Sequence, residues 1–196
     1  MIEGVVEASG ARLRYLETGG GAPLLHVQPA GALRLTPGHE RLGRHFRVIA
    51  LELPGAAPIE ALTQAALPGL GLDAFELIGS AQAAGMALRL ALAVPERIHA
   101  LVLDSPDGER EADLERRLRG FTVPTLVLVG TRDEPSTQEN ARAFEALLPN
   151  SHLVFVYDAA RPIGDGRPEA FAEVVDDFLD RHDAFVVRRT PARIHP

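Results

Sequence analysis

Six short runs of Val, Leu and Ile, each bounded by turn residues, constrain the fold of this chain more than any other feature. Near-continuous apolar runs of this length are typical of strands buried on both faces, as in a parallel sheet covered by helices. Two segments of alternating polarity precede them and predict an antiparallel hairpin at the sheet edge. The predicted strands are 24–27, 48–53, 75–78, 100–103, 125–129 and 153–157, with the hairpin at 5–8 and 13–17.

The order of these elements predicts one α/β domain with a doubly wound, mostly parallel eight-stranded sheet and helices on both faces. At 196 residues the chain is long enough for a single hydrophobic core. We expect this domain at residues 1–182 and a C-terminal tail at 183–196, favoured over a further strand or a partner contact at 185–187. The predicted helices are 38–45, 59–70, 82–94, 110–118, 137–148 and 168–182.

Composition argues against several classes of protein. The net charge is −7, and the basic cluster of Arg188, Arg189 and Arg193 lies in the tail, so we expect no nucleic-acid partner. The absence of cysteine excludes disulfides, thiolate metal ligands and a cysteine nucleophile. No signal peptide or membrane-spanning apolar run occurs, so we expect a cytoplasmic protein without a membrane partner. All 20 basic residues are arginine, which is typical of a GC-rich, bacterial type of genome.

Five segments spread over most of the chain carry a resemblance to one known family. They are residues 12–27, 44–55, 75–106, 123–133 and 167–179. Their order and their turn residues, such as Pro95 and Glu96 before a strand, resemble those of the α/β-hydrolases. The resemblance implies that fold. Such hydrolases typically insert a lid where this chain has only residues 104–123, which implies no cap domain and a shallow, open cleft at the carboxyl ends of the strands.

The resemblance implies a nucleophile on a strained turn between a strand and a helix, normally within G-x-S-x-G. The matching turn, residues 79–83, places Ala81 at its apex. With Ser80 at the apex, Ile78 and Gln82 would flank it and crowd a turn that tolerates only small residues. Ser80 is therefore the less favoured nucleophile, and its alternative role is a helix cap or a backbone hydrogen bond.

The acid and histidine positions of the family carry Asp133 and Arg161. Asp133 follows a predicted strand and matches the acid, although aspartate is also common in turns. Counting back from the segment 167–169 places Arg161 in the histidine position, and no histidine lies between His152 and His182. Arginine stays protonated and cannot act as a general base. We expect Asp133 and Arg161 to form an ion pair across the cleft.

The loop that would form the oxyanion hole is also altered. The family carries His-Gly after the strand, whereas here His26 is followed by Val27 and Gln28, and then by a proline that lacks a backbone donor. We expect these residues to line the cleft together with Ser80 and Gln82. A role for His26 as a ligand or base remains open but is less favoured.

These replacements predict a catalytically degenerate, non-hydrolytic protein of the α/β-hydrolase fold that binds a small apolar ligand in the open cleft or another protein. A homo-oligomer or a companion subunit of an active relative is one form of the second role. The enzymatic alternatives are an atypical esterase using Ser80 and a proton-transfer catalyst using His26 and Asp133. The other histidines, His39 among them, lack metal-ligand spacing and are expected at the surface or core edge. With no Gly-rich phosphate loop either, we expect no metal or cofactor.

Overall fold

The structure, a computed structural model, describes residues 1–8, 10–54, 58–107 and 112–186. Within these residues eight strands form one sheet. They are β1 (Ile2–Ala8), β2 (Ala11–Gly19), β3 (Ala22–Pro29), β4 (Phe46–Leu53), β5 (Phe75–Ser80), β6 (Ile98–Asp104), β7 (Thr125–Gly130) and β8 (Ser151–Val156). Their order across the sheet is β1-β2-β4-β3-β5-β6-β7-β8. β1 and β2 form the antiparallel hairpin, β2 pairs antiparallel with β4, and β3 to β8 are parallel.

Helices cover both faces of this sheet. They are α1 (Pro37–Leu42), α2 (Ile59–Ala61), α3 (Leu67–Gly69), α4 (Ala84–Ala93), α5 (Ala112–Leu118), α6 (Pro135–Leu147), α7 (Ile163–Gly166) and α8 (Pro168–Arg181). Successive strand residues face opposite layers, so that Leu24 packs with α1 and α8 while Leu25 packs with α4 and α6. Both leucines are fully buried. The prediction of a doubly wound, mostly parallel sheet is therefore confirmed.

The helix predicted at 59–70 is interrupted by a wider turn. Between α2 and α3, residues Leu62–Ala66 form a π-helix. This turn comes shortly before Pro68, which has no N–H to donate to the carbonyl four residues earlier and whose ring crowds that carbonyl. The short helix α7 was not predicted, because its sequence is rich in glycine.

The connection between β6 and β7 contains no cap domain in its described part. Residues 105–107 and 112–124 contribute only α5. At the C-terminus, the side chain of Phe185 packs edge-on against His152 and Phe178, and Val186 is buried. These two residues of the predicted tail therefore contact the domain, and neither lies in a strand.

Residues 187–196, with the basic cluster, lie outside the described residues. Among the described helices, none combines the length and the apolar character needed to cross a membrane.

Candidate functional site

The turn that follows β5 has the backbone of a nucleophile elbow. Ser80 ends the strand in an extended conformation, with φ −106° and ψ 145°, and Ala81 then adopts φ 49°. This left-handed region is unfavourable for a residue with a Cβ, and the strained strand-to-helix turn of α/β-hydrolases uses it to expose a nucleophile. Here the half-buried apex carries only a methyl group.

Gly79 explains why the turn accepts only small residues. A Cβ added to Gly79 would overlap the Cβ of Ala87 and would lie 3.1 Å from the Cα of Ala84. Both alanines belong to α4, which packs directly behind the turn. The close approach of strand and helix therefore depends on the absence of a side chain at Gly79.

Three side chains and one backbone amide form a hydrogen-bonded chain from α1 to the elbow. His26, on β3, contacts the Ser80 hydroxyl through Nε2, and its Nδ1 lies 2.5 Å from Nε2 of His39. The two imidazole rings stack with centroids 4.7 Å apart. Nδ1 of His39 accepts the backbone N–H of Thr36 at 3.0 Å, within the capping box that begins α1.

The backbone N–H of Thr36 sets the direction of this chain. Because an amide N–H only donates, Nδ1 of His39 is an acceptor, and the proton of the neutral ring lies on Nε2. His39 therefore donates to Nδ1 of His26, and His26 donates from Nε2 to the oxygen of Ser80. The Gln28 side-chain amide, 3.3 Å from Nδ1 of His26, is a donor as well and agrees with this assignment.

Both imidazoles are neutral at neutral pH, as this direction requires. Burial, with a further contribution from His39, lowers the pKa of His26 well below its usual value. Burial, with a further contribution from the charge of Arg34, lowers the pKa of His39 to about 4. The charged form of each ring is disfavoured because it would lose its hydration without gaining a carboxylate partner.

Asp133 and Arg161 meet, but the predicted ion pair between their side chains is wrong. Oδ1 of Asp133 accepts the backbone N–H of Arg161, and its Oδ2 accepts from the N–H of Gly130 and the hydroxyl of Ser105, each at 2.8 Å. The Arg161 guanidinium instead pairs with Asp107 at 2.7 Å. Three donors already satisfy the buried Asp133 carboxylate, and the guanidinium keeps more of its hydration beside the half-exposed Asp107.

A pocket of about 340 Å³ opens beside the elbow. Residues 31–34, 36, 161, 162 and 164 contribute to its walls. Gln28 holds the segment 31–34 in place through two hydrogen bonds. Its side-chain amide accepts from the N–H of Arg34 and donates to the Arg34 carbonyl, each at 2.9 Å. Apolar walls come from Pro29, Ala32, Leu33, Pro162 and Phe171.

Two of the residues predicted for the cleft do not line this pocket. Val27 is fully buried and its side chain belongs to the core on the α4 face of the sheet, because it alternates with His26 along β3. Gln82 is exposed and lines a neighbouring pocket. Asp133 is buried behind the pocket wall. The predicted residues that do line the pocket are His26, Gln28, Ser80, Ala81 and Arg161.

Sequence reasoning missed His39 and Asp104. His39 was expected at the surface or core edge, yet it is 2% exposed and supports His26. The spacing Thr36-x-x-His39, with histidine in the place of the usual glutamate of a capping box, was the available signal. Asp104 ends β6 and lines the pocket beside Ser80, its neighbour in the strand register. An acid directly after the predicted strand 100–103 was the available signal.

Asp104 is an acid among the residues that line the pocket. Burial, and then the nearby Asp133, raise the pKa of Asp104 to about 7, against the opposing effects of the Ser105 hydrogen bond and the Arg161 charge. Its carboxyl group is therefore partly protonated at neutral pH. In the described part of the chain, no three His, Asp or Glu side chains are grouped so that they would hold a metal ion.

Comparison with known proteins identifies the fold. No protein-family model matches the sequence, and no curated protein is significantly similar to it. Among solved structures, the enol-lactonase from Burkholderia xenovorans LB400 superimposes with a TM-score of 0.76 at 19% identity, covering 90% of this chain and 100% of that one. A serine hydrolase involved in carbazole degradation, the CarC enzyme, gives 0.76 at 21% identity over 91% and 98% of the two chains. Carboxylesterase CesB from Bacillus subtilis gives 0.74 at 16% identity over 91% of each.

The chain therefore has the α/β-hydrolase fold, with an eight-stranded sheet and no cap domain in its described residues. The site at the carboxyl ends of its strands combines an alanine at the elbow apex with a directed pair of neutral histidines.

Proposed function

We propose that this chain is a non-hydrolytic protein of the α/β-hydrolase fold that binds a small ligand in the pocket beside the elbow. The observation that carries the proposal is the methyl group of Ala81 at the strained apex, where φ is 49°. Attack on an ester carbonyl needs an oxygen or sulfur nucleophile at that position. A methyl group has no lone pair and cannot attack.

The pocket supports the binding part of this proposal. Its volume of about 340 Å³ falls within the range of small-molecule sites, which are mostly apolar with a few convergent polar groups. Phe171, Leu33 and Pro162 supply apolar surface, while Ser80 and Asp104 supply polar groups at the carboxyl ends of β5 and β6. A ligand with an apolar body and one polar head would satisfy both sets.

One observation favours a second candidate, an atypical hydrolase with Ser80 as nucleophile. His26 contacts the Ser80 hydroxyl, as a general base would. To accept the Ser80 proton, however, Nε2 of His26 must carry no hydrogen, so His26 would donate from Nδ1 to His39. The His39 proton would then move to its own Nδ1, where it would oppose the N–H of Thr36. The direction of the chain therefore disfavours His26 as a base toward Ser80.

The position of Ser80 also disfavours a nucleophilic role. Its backbone is that of an ordinary strand, and the left-handed position at the apex belongs to the next residue, Ala81. Proton-transfer chemistry by His26 and Asp133 together is disfavoured as well, because Asp133 does not line the pocket. A role as a homo-oligomer or companion subunit remains a further proposal that the pocket does not address.

A labelling experiment separates binding from hydrolysis. The purified protein is treated with a fluorophosphonate probe and assayed with p-nitrophenyl acetate, beside Ser80→Ala and the control Ser151→Ala. Ser151 bonds the carbonyls of Glu145 and Leu148 and does not line the pocket. We expect no labelled serine and equal background turnover in all three proteins. Labelling and turnover that are lost only in Ser80→Ala would establish the hydrolase instead.

A further inference from the structure

The carboxyl group of Asp104, at the edge of the pocket, receives only a long hydrogen bond from the described residues. The residue is 5% exposed and lines the cavity beside Ser80. One hydrogen bond reaches it from the described residues, from the Ser105 hydroxyl to Oδ1 at 3.3 Å. The same hydroxyl lies 2.8 Å from Asp133, and its single proton goes to the nearer carboxylate. Asp104 is therefore a buried acid without a strong donor, which is costly unless a partner binds it.

The described cations around the pocket pair with acids other than Asp104. Arg161 pairs with Asp107, and Arg34 pairs with Asp165. His26 and His39 are neutral at neutral pH because burial lowers their pKa values. Asp133 adds a second carboxyl group behind the pocket wall. Among the described residues that face the pocket, no cation therefore pairs directly with Asp104, and only the charge of Arg161 acts on it from a distance.

We propose that the ligand of this pocket is a small organic cation, such as a primary ammonium on an apolar body, whose charged head binds Asp104 beside the Ser80 oxygen. This inference rests on the proposed binding function and specifies the chemical class of the ligand. An ammonium group would donate to the free oxygen of Asp104 and to Ser80 Oγ, which still has a lone pair after accepting from His26. The apolar body would pack on Phe171 and Leu33.

An anionic ligand is disfavoured by the same contacts. The guanidinium groups of Arg34 and Arg161 already have carboxylate partners, and a carboxylate in the pocket would repel Asp104. A neutral ligand would leave the acid without a counter-ion. A cationic head group therefore suits the described lining of the pocket best.

Cation binding to Asp104 has a defined dependence on pH. The cation binds the ionised carboxyl, and burial and Asp133 raise its pKa to about 7 in the empty pocket. Affinity must therefore rise with pH, by about tenfold per pH unit well below pH 7, and level off above it. His39 titrates near pH 4 and contributes little above pH 5.5. The other charged groups that act on Asp104 are Asp133 and Arg161.

Isothermal titration calorimetry with three matched ligands tests the proposal. Cyclohexylmethylamine, cyclohexylmethanol and cyclohexanecarboxylate share a ring and differ in the head group, and the amine stays protonated to about pH 8.5. We expect the amine to bind at least about tenfold more tightly than the other two at pH 8, and to weaken toward pH 5.5 with the release of about one proton on binding. Proton release is measured by repeating the titration in buffers of different ionisation enthalpy.

Two variants test whether Asp104 is responsible for the binding of the amine and for its pH dependence. Asp104→Asn keeps the size of the side chain but removes its charge, so we expect the amine to lose at least about tenfold in affinity and its pH dependence to vanish. Glu76→Gln is the matched control. Glu76 is also a buried acid, with a pKa raised to about 8 mainly by burial, but it lies near the start of β5 and away from the pocket. We expect this control to bind the amine as the unmodified protein does.

The possible outcomes distinguish the ligand class from the proposed function. Tighter binding of the carboxylate or the alcohol, or a pH dependence that survives in Asp104→Asn, overturns the cationic ligand and leaves a binding protein. Failure of all three ligands to bind overturns the cationic ligand as well. Labelling of Ser80 by the fluorophosphonate probe would overturn the non-hydrolytic function, whichever head group the pocket prefers.

Discussion

His39 orients His26: Nε2 of His39 lies 2.5 Å from Nδ1 of His26, and the two rings stack in the space between β3 and α1. Because Thr36 donates to the far side of His39, the proton of each ring has one favourable position. His26 consequently presents an N–H, and not a lone pair, to Ser80. An imidazole held in this way can fix the orientation of the Ser80 hydroxyl in a binding pocket, but it is poorly arranged to remove the Ser80 proton.

The buried histidine pair predicts that the protein loses stability in acid. Burial and the Arg34 charge lower the pKa of His39 to about 4, whereas an unfolded chain has the ordinary value of 6.5. The unfolded state therefore binds the proton first, and the stability that this residue contributes above pH 6.5 is lost as the pH falls toward 4. The loss attributable to His39 is on the order of 3 kcal/mol.

Urea denaturation of His39→Gln tests this prediction between pH 7 and pH 4. Glutamine does not titrate and its side-chain N–H₂ takes the place of Nε2, so we expect a flatter pH dependence than in the unmodified protein. His45→Gln is the control, because the His45 side chain is mostly exposed and pairs with Asp176 at the surface. An unchanged slope in His39→Gln would contradict the neutral, buried pair.

A second prediction concerns the partner of Arg161. The guanidinium pairs with Asp107, and each of these side chains is 34% exposed, so the pair should contribute less than about 1 kcal/mol. Asp133 accepts only the backbone N–H of Arg161, which survives any substitution of that side chain except proline. Double-mutant cycles by urea denaturation should therefore give a small favourable coupling for Asp107→Asn with Arg161→Met, and coupling near zero for Asp133→Asn with Arg161→Met. A larger coupling in the second cycle would restore the ion pair that the sequence suggested.

A third prediction tests the packing behind the elbow. Gly79→Ala places a methyl group against Ala87 and should lower the free energy of unfolding by about 1–3 kcal/mol, because a close-packed site does not accept the added volume. Gly85→Ala is the matched control. It lies in α4, where the nearest atom to an added Cβ is 3.9 Å away, and alanine should stabilise the helix by about 0.5–1 kcal/mol.

A rescue variant shows whether the contact with Ala87 is responsible. Combining Gly79→Ala with Ala87→Gly removes the overlapping Cβ, so the pair should cost less than the sum of the two single substitutions. Thermal unfolding gives all four values. Simple additivity of the two substitutions would mean that the strand and helix do not approach each other at this point.

The sequence by itself determined the sheet, its hairpin and the alanine at the elbow. The apolar runs indicate strands that are buried on both faces of the sheet. The small residues around Ala81 indicate a turn that a helix approaches closely. Each of these signals lies within a few consecutive residues. That is why predicted strands such as 125–129 agree with the observed Thr125–Gly130 to within one residue.

Only the tertiary structure decided the partners of the side chains. His26 contacts Ser80 across 54 residues of sequence, and Arg161 reaches Asp107 across 54 as well. Such contacts depend on where loops cross the carboxyl ends of the strands and on how much hydration each charge retains there. The predicted pairing of Arg161 with Asp133 was wrong because nearby backbone and hydroxyl donors satisfied the buried acid. Those donors converge on Asp133 only after the sheet and its loops have packed.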